Sequence, residues 1–292
     1  MTTVLVFLAV ILGAFTSPAT AQENVQFHAP DSPPTLLQKR MAKLRGEEAK
    51  GKAGLALRGQ LNIPTAGTAP YPAVVLLHDC RGITGAIEDW AYQLTDWGYV
   101  TLVVDSYGPR RHRPGCQSYE HMESVDQTFD ALGALQFLTR RPDVAANRIG
   151  LIGWSIGGSK VLSALNRIGV HNLYDEKFRF GIAFYPYCLT ASGPFIGPLL
   201  ILIGGGDDWT TARRCVTLRD RNTSSAHPLE LKVYGNAHHF FDDPDMGPPA
   251  YYEAIENREK SPTRGVTWGH DPKAYALAIQ HVREFLTRQQ GE

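Results

Sequence analysis

Gly153-Trp154-Ser155-Ile156-Gly157 is a G-x-S-x-G pentapeptide set between a stretch that favours a strand and one that favours a helix. Before it, Arg148-Ile149-Gly150-Leu151-Ile152 is short, apolar and β-prone; after it, residues 156–165 space small and apolar side chains at helical intervals. The context matters because the pattern alone is common. A sharp strand-to-helix turn drives the serine into a strained backbone conformation that only glycine neighbours let pack closely. Oγ is then lifted clear of the sheet, and the new helix aims its unpaired N–H groups at the same place.

Outward from this turn, apolar runs of strand length recur at 73–77, 99–104, 149–153, 180–185, 199–203 and 231–234. Their continuity, mostly without polar alternation, suits strands buried on both faces of a parallel sheet. Helical stretches are expected between and after them, at 87–97 ahead of Gly98, at 125–140 ahead of Pro142, at 210–218 and at 271–288. Strand and helix in alternation predict an α/β fold, a doubly wound and mostly parallel sheet flanked by helices. The stretch 243–270, rich in Pro, Tyr and charge, is expected to be an irregular insertion before the last helix.

The beginning of the chain has a different texture. Residues 4–15 are an apolar run of signal-peptide length, and Ala19-Thr20-Ala21 supplies a small-x-small cleavage pattern. The expected division is a leader over 1–21, an N-terminal extension over 22–54 with an exposed helix at 36–52, and one domain over 55–292. Met1-Thr2-Thr3 carries no positive side chain, so an uncleaved anchor or a different start is the alternative to export into the periplasm or medium. Lys+Arg and Asp+Glu both number 29. That balance offers no electrostatic case for a nucleic acid, and no stable membrane association is expected once the leader is removed. Four cysteines, Cys80, Cys116, Cys188 and Cys215, suit disulfides in an oxidising compartment and lack the C-x-x-C spacing of a zinc site. Three pairings are open from the residues alone.

A serine hydroxyl needs a base, and the base needs a third group to hold its tautomer. In this fold class the partners follow in the order acid, then histidine, each just after a strand. Gly204-Gly205-Gly206-Asp207-Asp208-Trp209 follows the run at 199–203, and Gly235-Asn236-Ala237-His238-His239-Phe240-Phe241 follows the run at 231–234. Alone, Asp207 and Asp208 read as turn formers or a helix cap, and the adjacent histidines near Asp242-Asp243 imitate a metal cluster. Together and in order they point to acyl transfer. No metal or cofactor is expected. The oxyanion of such a reaction needs fixed N–H donors: that of Ile156, and one from the loop His78-Asp79-Cys80-Arg81-Gly82.

The chain from about residue 55 resembles the dienelactone hydrolase family of the α/β-hydrolase superfamily. The likeness rests on Val74 to Gly82, Val103 to Arg110, Ile149 to Gly158, Ala183-Phe184-Tyr185-Pro186, Leu202-Ile203-Gly204 with Asp207 to Thr210, and Tyr234 to Asp242. The resemblance implies Ser155 as nucleophile, Asp207 as acid, His239 as base, and the N–H of Cys80 as the second oxyanion donor. It places Asp79 where the founding enzymes hold a carboxylate near the nucleophile, and it suggests the pairs Cys80–Cys116 and Cys188–Cys215. Those enzymes carry a cysteine nucleophile and are cytoplasmic, whereas this chain has Ser155 and an expected leader, which favours a broader carboxylic-ester or lactone hydrolase acting on a small molecule. A peptidase or acyltransferase on the same residues is one alternative; a non-catalytic exported binding protein is another. Trp154, Tyr107, Tyr185, Tyr187 and Trp209 are candidates for the mouth of the site, and Arg81 or Arg110 for holding a substrate carboxylate, although aromatics usually fill cores and arginines usually meet solvent. Substrate and oligomeric state are open.

Overall fold

The computed structural model describes residues 21–223, 226–260 and 262–290. Most of the expected leader lies outside them. Among the described residues, ten strands form two sheets. The main sheet holds β1 (Ala21–His28), β2 (Ala56–Ile63), β3 (Tyr71–Leu77), β4 (Val100–Asp105), β5 (Val144–Trp154), β6 (Gly181–Phe184), β7 (Leu199–Gly204) and β8 (Leu229–Tyr234), in the order β1-β2-β4-β3-β5-β6-β7-β8. From β4 to β8 every neighbour is parallel, while β1 and β2 add two antiparallel strands at one edge. The central strands are the continuous apolar runs: Val74 to Leu77 and Leu199 to Ile203 are fully buried.

The helices are α1 (Leu36–Arg45), α2 (Gly85–Asp96), α3 (Tyr119–Glu123), α4 (Gln127–Thr139), α5 (Ile156–Ala164), α6 (Ala212–Arg221) and α7 (Pro272–Gln290). The chain winds from β3 outward to β4, then back across β3 to β5 and on toward β8. Right-handed crossovers therefore place α2 on one face and α4, α5 and α6 on the other. Trp90 of α2 meets Tyr275 of α7 at 5.9 Å, which seats the last helix on the α2 face. The winding reverses at β3, and loops leaving the C-terminal ends of β3 and β5 diverge there to open a crevice.

Three features depart from the sequence expectation. The helix expected over 36–52 stops at Arg45, because Gly46 adopts a left-handed conformation (φ +66°) and closes it. The N-terminal extension contributes β1, which pairs with β2 along its whole length; neither strand is a continuous apolar run. The stretch 243–270, expected to be irregular, holds an antiparallel hairpin of β9 (Ala250–Glu256) and β10 (Arg264–Trp268). Its inward residues Ile255, Val266 and Trp268 are buried while Tyr251 is exposed, so it is a one-sided hairpin whose polar outer residues hide the strand signal.

Candidate active site

Ser155 sits between β5 and α5 with φ +52° and ψ −113°, a conformation a serine holds only when its surroundings enforce it. The glycines explain how. A Cβ on Gly153 would lie 2.4 Å from the Gly157 carbonyl oxygen, and one on Gly157 would lie 2.5 Å from that of Leu77 and 2.7 Å from that of His78. The turn is thus pressed against its own helix and the loop after β3. Ser155 N–H donates to Phe184 O at 3.0 Å, tying the turn to β6.

The structure brings together the three residues that the sequence places after separate strands. His239 Nδ1 and Asp207 Oδ2 are 2.8 Å apart, and His239 Nε2 and Ser155 Oγ are 2.9 Å apart. With the proton on Nδ1, the imidazole donates to the carboxylate and accepts from the serine hydroxyl. All three are buried. The other oxygen of Asp207 accepts from the N–H groups of Trp209 and Thr210 at 3.0 and 2.9 Å, and Thr210 Oγ1 lies 2.9 Å from Oδ2. Burial pushes this carboxyl up, but the His239 partner and the Thr210 hydrogen bonds outweigh it and hold it below the usual carboxylate range. Asp208 turns the other way, accepting from Lys260 Nζ at 2.8 Å and from Thr267 N–H at 2.8 Å, so it fastens the hairpin. Aromatic rings fix the imidazole: Tyr185, Phe240 and Trp209 have centroids 4.4, 4.5 and 4.8 Å from it. Tyr185 and Phe240 also have positive φ, of 37° and 62°.

The loop after β3 is held by His78, which is fully buried. Its Nδ1 lies 2.8 Å from Asp79 O, and its Nε2 accepts from Ser106 N–H at 3.3 Å. Asp79 O and Cys80 N–H belong to one planar peptide unit, so the imidazole that holds the carbonyl also sets the direction of the N–H. Burial lowers the His78 pKa, which keeps the ring neutral and able to play both parts. Gly82 closes the loop with φ +83° and an N–H donated to Asp79 O at 3.2 Å. Ile156 opens α5, where an N–H has no acceptor inside the helix.

Several sequence candidates are occupied elsewhere. Arg81 is paired with Asp79 at 2.7 Å and Asp243 at 2.6 Å and lies over the Phe240 ring at 3.9 Å. Arg110 is bidentate to the buried Asp130, at 2.8 Å to each oxygen. Neither guanidinium is left over for a substrate carboxylate, a correction to both readings, and Asp79 is neutralised by Arg81. Trp154 is also corrected: it is buried, stacks on Phe184 at 5.1 Å and donates to Asp242 Oδ2 at 2.8 Å. Tyr107 and Tyr185 are buried too, whereas Tyr187 and Trp209 do border the cleft.

That cleft is narrow, about 60 Å³, and runs from Ser155 and Ile156 past Tyr119, Met122, Tyr187 and Trp209. Sequence reading missed Asp242, three residues beyond His239. Its carboxylate is buried and accepts from Trp90 at 2.9 Å, Trp154 at 2.8 Å and Tyr185 at 2.7 Å. Burial raises its pKa against the pull of those donors. Cys80 pairs with Cys116 and Cys188 with Cys215, so one bridge anchors the loop after β3 and the other joins α6 to the turn after β6. Among the described residues no cluster of His, Cys, Asp and Glu is placed to hold a metal, and no helix is long and apolar enough to cross a membrane.

Known proteins resemble this chain in sequence or in fold. A Bradyrhizobium protein described as a probable 2-oxo-3-(5-oxofuran-2-ylidene)propanoate lactonase is 25% identical over 190 residues, 60% of this chain and 75% of its own length. The crystal structure of the dienelactone hydrolase-like promiscuous phosphotriesterase P91, from metagenomic libraries, superposes with a TM-score of 0.62 at 18% identity, covering 92% of this chain and 99% of P91. A dienelactone hydrolase-like protein of Klebsiella pneumoniae subsp. pneumoniae MGH 78578 gives a TM-score of 0.62 at 14% identity, covering 91% of this chain and 99% of its own. The family model for the dienelactone hydrolase family matches residues 57–289, the sheet from β2 onward with every element that shapes the crevice. The chain belongs to the dienelactone hydrolase family, and with it to the carboxylic-ester hydrolases of the α/β-hydrolase superfamily.

Proposed function

We propose that this protein is an exported serine hydrolase that cleaves a small carboxylic ester or lactone through an acyl-enzyme on Ser155. The observation that carries the reading is the continuous hydrogen-bond line from Ser155 Oγ through His239 to Asp207, at 2.9 and 2.8 Å, on a strained turn. Ser155 Oγ attacks the carbonyl carbon as His239 Nε2 takes its proton. The C=O becomes an oxyanion facing the N–H groups of Ile156 and Cys80, a pair that supplies several kcal/mol of stabilisation in such sites. Collapse breaks the C–O bond, and His239 returns the proton to the leaving alcohol. Water, deprotonated by the same imidazole, then releases the acid and restores Ser155. Asp207 stays ionised throughout and stabilises the imidazolium.

The cleft favours a substrate with a compact apolar group against Tyr119, Tyr187 and Trp209. The lactone named for the Bradyrhizobium relative supports keeping cyclic esters in the class. Two disulfides support an oxidising compartment. The test is Ser155→Ala: turnover of a chromogenic short-chain ester, and labelling by a fluorophosphonate, should both fall to background in folded protein. Undiminished turnover would sink the assignment.

A further inference from the structure

The helix α1 exposes the side of itself that helices normally bury. Leu36, Leu37 and Leu44 are 86%, 68% and 73% exposed and Met41 is 43% exposed; in the whole helix only Ala42 is buried. At about 100° per residue, Leu37, Met41 and Leu44 fall on one arc, flanked by Arg40 on one side and Arg45 on the other. Lys39 and Lys43 add to the positive charge, and the ten residues of α1 hold no acid. Glu47 pairs with Arg45 at 2.9 Å, which leaves Arg40, and Lys43 beside Leu36, as the cations nearest the aliphatic residues, while Lys39 lies on the opposite side of the helix. Placement near a helix C-terminus explains Lys43 and Arg45 through the helix dipole; it does not explain Lys39 and Arg40.

The helix is capped at both ends. Thr35 and Gln38 form a reciprocal capping box, and Gly46 closes the other end. It stands on a fastened stem, where Ser32 and Lys52 exchange backbone hydrogen bonds of 2.9 Å and Gly54 N–H donates to Asp31 Oδ1 at 2.8 Å. Beside the stem, Tyr174 OH donates to Asp31 O at 2.6 Å, and the segment leading to it exposes Ile168 (80%) and Leu173 (48%). The face is therefore a rigidly presented aliphatic ridge among cations, on a chain whose overall charge is balanced.

We infer that α1 docks this protein onto an anionic lipid surface, its leucines entering the interface and its cations meeting the headgroups. A basic amphipathic helix with aliphatic residues on one side has the composition of an in-plane interfacial helix. A second copy of the chain fits less well, since packing α1 on its twin would bring the cations of both helices together. Such docking goes beyond the hydrolase reading and does not depend on it.

The test uses the purified full chain, with its processed N-terminus defined by mass spectrometry, and flotation with phosphatidylcholine vesicles with or without phosphatidylglycerol. Binding is expected on the anionic vesicles at low salt, weakened by added salt and weak on neutral vesicles. Arg40→Glu with Lys43→Glu should weaken it by at least about 25-fold, at about fivefold for each basic residue near the surface. Leu37→Glu with Leu44→Glu should abolish it, and short-chain ester turnover should stay unchanged in every variant because the positions are exposed. Three outcomes would overturn the inference: no binding to anionic vesicles at low salt, equal binding by the Leu37/Leu44 variant, or a protein dimer that the same substitutions disperse.

Discussion

Replacing Asp207 by asparagine changes almost nothing in shape and should disable the enzyme. Oδ1 accepts from the N–H groups of Trp209 and Thr210 at 3.0 and 2.9 Å, so the asparagine carbonyl must take that place. The amide NH2 then occupies the Oδ2 position, 2.8 Å from His239 Nδ1. As a donor it forces Nδ1 to accept, which moves the imidazole proton to Nε2, opposite Ser155 Oγ. The base is then in the wrong tautomer and carries no counter-charge. Loss of about 10⁴ in kcat is expected, or about 5.5 kcal/mol of barrier, with KM nearly unchanged. The fold should stand because both backbone donors keep their acceptor, with the stability contributed by the ionised carboxylate lost. Asp208→Asn, whose side chain accepts from Lys260 and Thr267 of the hairpin, should keep kcat within about threefold. Initial rates on p-nitrophenyl acetate, with circular dichroism to establish folding, read both. If folded Asp207→Asn retains kcat within about tenfold, or Asp208→Asn loses more, the tautomer reasoning is refuted.

Other consequences can be measured on the same footing. His78→Phe keeps the ring but removes the bond that fixes the Asp79–Cys80 peptide; kcat should fall about 10²-fold with KM little affected, and an unchanged kcat would remove His78 from the oxyanion loop. Asp242→Ala leaves Trp90, Trp154 and Tyr185 as three buried donors without an acceptor, and urea unfolding should show a loss of at least about 3 kcal/mol. Asp242→Asn keeps an acceptor for both indoles and should lose less. The Asp207 pKa is lowered in the folded state, so unfolding takes up a proton on acidification. Its stabilising contribution is complete above the unfolded value of about 3.9 and is lost as pH falls through it toward the folded pKa. The stability gap between wild type and Asp207→Asn, from urea midpoints across the acid range, should therefore narrow below about pH 4; a gap that widens there would contradict the sign.

The parts of this molecule legible in the sequence are those whose signal is local. Strands β3, β4, β5, β6 and β7 are continuous apolar runs because both faces are covered, and Ser155, Asp207 and His239 each follow a strand within a short loop. The edge escaped for the opposite reason. β2 alternates buried and exposed residues, and β1 has Val25 and Phe27 as its apolar residues over 22–28, since an outer antiparallel strand needs only one wet and one dry face. Asp242 was not legible because its partners come from α2, β5 and the end of β6, far apart in the chain. Long-range pairing also bears on Arg81 and Arg110: Arg81 meets Asp243 as well as the neighbouring Asp79, and Arg110 meets Asp130, so the distant acids do not show beside them in the sequence. Chemistry carried by one loop shows itself in the sequence; charge cancelled across the fold does not.

The hairpin of β9 and β10 stands behind the cleft rather than in it. Glu256 O accepts from Trp209 Nε1 at 2.9 Å, its carboxylate accepts from Tyr119 N–H at 2.9 Å, and Trp268 packs on Trp209 at 5.3 Å. Its fastenings reach the catalytic loops themselves: Asp208 to Thr267 and Lys260, Asn257 to the Asp208 carbonyl at 2.9 Å, Gly269 N–H to the His239 carbonyl at 3.1 Å, and the Trp268 ring 5.3 Å from that of Phe240. A segment attached in that way passes its own packing on to the loop that carries the base. Trp268 thus touches both walls at once, Trp209 on the substrate side and the His239–Phe240 loop on the proton-transfer side, so a change in that one side chain would alter substrate range and proton-transfer geometry together.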